Sequence, residues 1–301
     1  MAAPHTDRLS GRIDLHMHTT VSDGTDTPEE LIDTVTAAGI TLFSVTDHDA
    51  ILAAEILPPL LAGKNLCFLP GVEFSCRDEA GKYHILGYGF DPGHAAIREV
   101  VGHGHALRMK KVLARLDFLR TRFGFDFPEE EIERLLAREN PGKPHIGNLM
   151  VKCGFAKTKE EAIVNYIDQV HFPNEYVRPE EAIGGILASG GVPVLAHPYY
   201  GSGNELILGD EMEERLHRLM GFGLQGVEAF YSGFSHRLCA GMLDLARRYD
   251  LYVTAGSDYH GTNKLVRPGD TGLEPGAGLP DGMLRFLRRF GLAPEEKGDA
   301  V

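Results

Sequence analysis

Histidine supplies 14 of the 301 residues, and the histidines that stand out occur close to carboxylates. His16 and His18 are spaced i, i+2, Asp23 follows them, Asp47 and His48 are adjacent, and Glu73, His84, His197, Asp258 and His260 complete the set. In an extended segment residues i and i+2 point the same way, so His16 and His18 can grip one ion together. A carboxylate can bridge two ions and an imidazole cannot, so a Glu among several His favours a multinuclear centre. Nitrogen and oxygen donors without thiolate suit Mn, Fe or Zn rather than a cluster.

The elements that must hold these residues follow from hydropathy. Short β-branched runs alternate with amphipathic windows, the pattern of α/β units. Strands are predicted at 12–15, 40–46, 66–75, 82–90, 192–196, 226–230 and 251–255, with 66–75 and 82–90 joined as a hairpin, so the sheet is not purely parallel. Thr27-Pro28-Glu29-Glu30 caps a first helix closed by Gly39, and a second, bent by Pro58-Pro59, spans 51–61. Most of the candidate ligands then fall where strands end, which is where active sites of barrels of this kind form. Between 95 and 178 the texture changes to charged helical windows at 106–121, 128–139, 145–153 and 159–168, read as an inserted helical subdomain. Helices at 180–188, 210–220, 235–249 and 281–290 complete the alternation. The domain reading is therefore a discontinuous barrel of 12–94 and 179–291, the insertion 95–178 and a tail 292–301, with 267–281 a surface loop.

Composition narrows the function. Forty-three acidic against 30 basic residues give a net charge of −13, which argues against stable coating of a long nucleic acid. The four cysteines form no C-x-x-C pair, and neither a signal peptide nor a membrane span is legible, so reduced thiols and a cytoplasmic location are expected. Gly221-Phe222-Gly223-Leu224-Gln225-Gly226 fits G-x-G-x-x-G but leads from a helix into a strand, the reverse of the order a dinucleotide fold needs.

Ile13-Asp14-Leu15-His16-Met17-His18, Thr46-Asp47-His48-Asp49, Gly71-Val72-Glu73-Phe74-Ser75, Ala196-His197-Pro198 and Gly256-Ser257-Asp258-Tyr259-His260 resemble, in order, the motifs of the PHP (polymerase and histidinol phosphatase) family. That resemblance implies a distorted (β/α)7, TIM-like barrel with two to three divalent ions (Mn, Fe or Zn). It further implies His16, His18, Glu73 and Asp258 on a first ion, Glu73 bridging to a second held by His84 and His197, and Asp23, His48 and His260 on a third. Lys143-Pro144-His145-Ile146 and Asn174-Glu175-Tyr176-Val177 are similar to the branch of nucleoside 3′,5′-bisphosphate phosphatases, also called TrpH-like or RNase AM-like proteins. That branch more usually has Arg at Lys143 and Pro at Arg178.

The function expected is a metal-dependent phosphoesterase releasing phosphate from a small phosphorylated metabolite through a metal-activated hydroxide. Candidate metabolites are a nucleoside 3′,5′-bisphosphate, a nucleoside monophosphate or a cyclic phosphate. Glu73 is the central catalytic carboxylate, and Asp47 or a histidine near the third ion such as His260 protonates the leaving group. Three divalent ions outweigh Asp23, Glu73 and Asp258, so an acidic protein can still attract an anion locally. Arg108, Lys111 and Arg115 share one helix face. They form either a solvated face or, for Arg108 with Lys143 and His145, a wall for a second phosphate, to which Arg178 is added. His103 and His105 are read as loop residues, and Glu228 as support behind the ligands. Histidinol phosphate and short oligonucleotides are alternatives within this class. A C–N hydrolase of amidohydrolase type and a silent metal-binding module are alternatives outside it.

Overall fold

The computed structural model describes residues 12–172, 174–201, 205–274 and 278–293. The readings of residues 1–11, of most of the tail and of the centre of the 267–281 loop lie outside these. Local chemistry sets the first units: β1 (Arg12–Asp14) leads to α1 (Pro28–Ala37), whose capping box has Thr27 Oγ1 accepting from Glu30 N and Glu30 Oε2 accepting from Thr27 N. β2 (Ile40–Phe43) and α2 (Leu52–Leu60) follow, the latter containing Pro58 and Pro59. The single strand expected over 66–75 is two, β3 (Cys67–Phe68) and β4 (Gly71–Arg77), because Pro70 interrupts the run. β5 (Lys82–Tyr88) returns antiparallel to β4.

The charged windows fold as helices. α3 (Ala95–Phe123) is much longer than the predicted 106–121 and contains His103 and His105, which are therefore helical and not in a loop. Gly102 and Gly104 lower the apparent propensity there, but burial of Ile97, Val100 and Gly104 against the neighbouring elements holds the helix. α4 (Glu129–Leu136), α5 (Lys143–Lys152) and α6 (Lys159–Asn165) follow, and with the second half of α3 they bury a cluster of their own around Val112, Leu119, Ile146 and Met150. The alternation resumes with α7 (Pro179–Ala188), β6 (Val192–Leu195), α8 (Gly209–Phe222), β7 (Gly226–Tyr231), α9 (His236–Arg248), β8 (Tyr252–Gly256) and α10 (Asp281–Arg289).

The strands form a parallel sheet β1-β2-β3 and a mixed sheet β4-β5-β6-β7-β8, in which β6, β7 and β8 are parallel. Backbone hydrogen bonds link the two sheets where the ligand residues begin. Beyond β2, Asp49 N donates to Glu73 O at 2.8 Å and Glu73 N to Asp47 O at 3.2 Å. Beyond β1, Leu15 N donates to Ala255 O at 2.9 Å and His18 N to Tyr259 O at 2.8 Å. The larger hydrophobic core lies between the mixed sheet and its helices, and a second core lies under α1 and α2.

Gly71 permits the close approach of β4 to the end of β2: a Cβ there would sit 2.2 Å from Ser44 Oγ and 2.8 Å from Val45 O. Gly71→Ala is expected to destabilise the chain by about 1–3 kcal/mol. Chemical denaturation checks this; an unshifted midpoint would contradict the packing described.

Candidate metal centre

Each candidate ligand but Asp23, which lies in the loop between β1 and α1, sits on a strand or close beyond one. His16 and His18 follow β1, His48 follows β2, Glu73 and His84 lie on the β4–β5 hairpin, His197 follows β6, and Asp258 and His260 follow β8. Buried Asp14 fastens β1 to the end of β8, accepting from His16 N at 3.3 Å, Ser257 N at 3.0 Å and Gly269 N at 2.7 Å. Burial pushes its pKa up to about 6 against the pull of those bonds. Gly256 is needed beside it, since a Cβ would lie 2.2 Å from His16 Cβ and 2.3 Å from Glu228 Oε1. His197 (φ 28°) and Asp258 (φ 59°) are held in the left-handed region, a strain the surrounding packing must over-determine.

The side chains converge on Glu73. Its Oε2 faces His16 Nε2 at 3.4 Å, His18 Nε2 at 3.2 Å and His48 Nδ1 at 3.1 Å. Its Oε1 faces His84 Nδ1 at 2.9 Å and His197 Nε2 at 3.3 Å. Asp258 Oδ1 lies 3.4 Å from His18 Nε2 and 3.3 Å from His260 Nδ1, while Asp23 Oδ1 lies 3.3 Å from His260 Nε2. Burial raises the Glu73 pKa, but His84, His48 and His16 outweigh it and hold the carboxyl well below its usual range. Burial lowers His18, yet Asp258 and Glu73 bring it up to about 9. Burial, joined by His18 and Arg108, holds His48 well below the usual imidazole value against Glu73 and Asp23.

The donor set fits divalent metal. The three imidazole nitrogens facing Glu73 Oε2 are buried and make no hydrogen bond, a costly state for polar atoms unless a cation lies between them and the carboxylate. Three groups are each compact enough to hold an ion: His16, His18 and Asp258; His48, Glu73 and His84; and His18, Asp23, His48 and His260.

A cleft of 590 Å³ opens over this cluster, lined by Asp23, His48, His84 and His260 and by seven cations, Lys82, Arg108, Lys111, Arg115, Lys143, Lys159 and Lys264. The basic face of α3 is thus not solvated: Arg108, Lys111 and Arg115 are all buried. Arg108 donates twice to Asp49 Oδ2, at 3.2 and 3.0 Å, and Lys143 Nζ to Asp168 Oδ1 at 2.8 Å. His145 Nδ1 accepts from Gly142 N at 3.0 Å, and burial lowers its pKa to about 4, so the ring is neutral. Arg178 does not reach this cleft. It pairs with Glu79 and Glu180 and lines a separate cavity with Arg77 and Asn174, because β4 and β5 carry that edge away from the ligands.

The PHP domain model matches residues 14–178, more than half of the chain. The chain belongs to the PHP domain family. The 3′,5′-nucleoside bisphosphate phosphatase of Chromobacterium violaceum is 28% identical over 271 residues, 88% of this chain and 90% of that relative. The phosphoribosyl 1,2-cyclic phosphate 1,2-diphosphodiesterase of Eggerthella lenta is 30% identical over 261 residues, 82% of this chain and 94% of its own length. A solved structure assigned as a metal-dependent phosphoesterase, from Bifidobacterium adolescentis, superposes with a TM-score of 0.75 at 26% identity, covering 94% of this chain and 97% of that one.

Several residues hold the PHP-domain cluster in place, and of these Tyr231, Lys264 and Asn140 carry no signal in their spacing. Glu228, buried on β7, accepts from His16 Nδ1 at 2.9 Å and His197 N at 2.7 Å. Tyr231 and Lys264 both donate to Asp258 Oδ2, at 2.9 and 2.5 Å. Asn140, from the loop before α5, donates to the His48 carbonyl. Asp47 accepts from Thr19 N and Oγ1 and from Ser22 Oγ at 2.6–2.8 Å, which anchors the loop carrying Asp23. In this PHP domain, adding Mn²⁺ to chelator-treated protein is expected to raise the melting temperature by about 6 °C at a thousandfold excess over Kd. Differential scanning fluorimetry checks it; Glu73→Gln should lose most of the gain, and an equal gain in the variant would contradict the assignment.

Proposed function

We propose that this PHP-domain metal-dependent phosphoesterase releases inorganic phosphate from a small phosphorylated metabolite, with a nucleoside 3′,5′-bisphosphate, a nucleoside monophosphate and a cyclic sugar or nucleotide phosphate as the candidates. One observation carries the reading: a buried histidine–carboxylate cluster suited to metal lies at the base of a cation-lined cleft in a protein of net charge −13. The Chromobacterium and Eggerthella relatives support the monoester and cyclic-ester substrates respectively. The two sheets, linked by hydrogen bonds beyond β1 and β2, support a distorted (β/α)7 barrel with 95–178 as a specificity insertion. A cytoplasmic location is part of this proposal; no described helix is long and apolar enough to cross a membrane.

Two to three divalent ions, Mn, Fe or Zn, would be held by His16, His18, Glu73 and Asp258, by Glu73, His84 and His197, and by Asp23, His48 and His260. Such ions supply Lewis acidity to the phosphoryl oxygens and a nucleophile from water near neutral pH. Glu73 presents one oxygen to each of two histidine sets and so sets the spacing of the centre. Glu228 orients His16 and His197 by accepting from them, as outer partners of ligating histidines do. Asp47 is better read as the anchor of the Asp23 loop than as an acid, which leaves His260, lining the cleft, as the candidate acid only in place of its role at the third ion. Arg108 and Lys143 hold the substrate, His145 supports them from behind through Gly142, and Arg178 is left out of that role.

Phosphate release with added Mn²⁺ across nucleotides, cyclic phosphates and sugar phosphates tests the reading. Glu73→Gln should lower kcat by about a hundredfold or more. Lys143→Ala should raise KM more than it lowers kcat. Amine release without phosphate would replace this reading by C–N hydrolysis, and release of neither would sink it.

A further inference from the structure

Two buried cations in the cleft have no carboxylate partner among the described residues. Lys111 and Arg115, one turn apart on the same face of α3, are 8% and 9% exposed and line the cleft. Arg108, one turn earlier, is neutralised by Asp49. Among the described residues neither Lys111 nor Arg115 has a carboxylate partner or a hydrogen bond. Their contacts are aromatic: the Lys111 ammonium lies 3.8 Å from the Tyr176 ring centroid and the Arg115 guanidinium 5.0 Å from that of Phe172. Arg115 Nε is buried without an acceptor.

An aromatic face offsets only part of the cost of taking a cation out of water. Two such cations side by side also repel each other. The arrangement is that of a site whose remaining member is an anionic ligand, and a phosphate oxygen satisfies both a guanidinium and an ammonium. From Arg108, which pairs with Asp49 beside the His48 ligand, to Arg115 the helix rises about 10 Å, so Lys111 and Arg115 lie progressively farther along α3 from that contact. We propose that Lys111 and Arg115, backed by Tyr176 and Phe172, form a second anion subsite that receives a phosphate group of the substrate remote from the reacting one.

The charge of Lys111 is adjustable. Burial, then Arg108 and Arg115 on its own helix, lower its pKa to about 7, against Asp49 beyond β2 and Glu175 before α7. Lys82 on β5 faces the same Tyr176 ring from 5.8 Å. The ammonium is therefore charged below about pH 7 and loses its charge above it, so the subsite weakens for anions as pH rises through neutrality.

The source of the anion rests on the phosphoesterase reading; the subsite itself is tested separately. Binding of a nucleoside 3′,5′-bisphosphate to metal-stripped protein, followed by calorimetry, should weaken about tenfold in Lys111→Met and in Arg115→Met. Lys111→Arg should restore binding, which controls for folding, and should flatten the loss of affinity that the wild type shows from about pH 6 to about pH 8. With Mn²⁺ present, the ratio of kcat/KM for the bisphosphate to that for the nucleoside 5′-monophosphate should fall about tenfold in Lys111→Met. Unchanged bisphosphate binding in both methionine variants, or an equal loss on both substrates, would overturn the subsite. Absence of phosphate release from every substrate would sink the phosphoesterase reading while the calorimetry still decides the subsite.

Discussion

The structure is organised around one buried carboxylate. Glu73 has five imidazole nitrogens within 3.4 Å of its two oxygens, three about Oε2 and two about Oε1. A buried carboxylate persists as an anion only where positive charge surrounds it, and the three imidazole nitrogens at Oε2, buried without hydrogen bonds, leave that compensation to cations. The neighbouring backbone serves this convergence. Gly71 lets β4 approach β2, Gly256 clears space for His16, Asp14 ties β1 to β8, and the left-handed conformations of His197 and Asp258 turn their side chains inward.

The second organising feature is the separation of charge between surface and cleft. The chain carries 43 acidic residues, yet seven of its cations line one cleft over the ligand cluster. Such a distribution favours short-range attraction of a small anion over long-range attraction of a polyanion. The helices of 95–178 supply most of those cations, and they are coupled to the ligands as well. Asn140 holds the His48 carbonyl, and Lys159 Nζ donates to the Asn263 carbonyl at 2.6 Å, in the loop whose Asn263 side chain holds the Asp23 carbonyl at 2.8 Å.

The alternation of strands and helices and the positions of the ligand residues at strand ends were legible in the sequence, because period-2 runs ending in His or Asp leave a strong local pattern. The split of 66–75 turned on Pro70 alone. The length of α3 was hidden by Gly102-His103-Gly104-His105, whose weak propensity is overridden by packing that no local window contains. Tyr231, Lys264 and Asn140 act through contacts between residues distant in sequence, so their spacing held no signal. Arg178 looked like a phosphate ligand by its neighbours in the chain. Its actual neighbours in space are Glu79 and Glu180.

Anomalous diffraction at the manganese edge from crystals soaked in Mn²⁺ tests the central claim most directly. The account predicts at least two peaks flanking the Glu73 carboxylate, one on the side of His16 and His18 and one on the side of His84 and His197, with the bridge lost in Glu73→Gln. A single peak remote from Glu73, or none at saturating Mn²⁺, would contradict it.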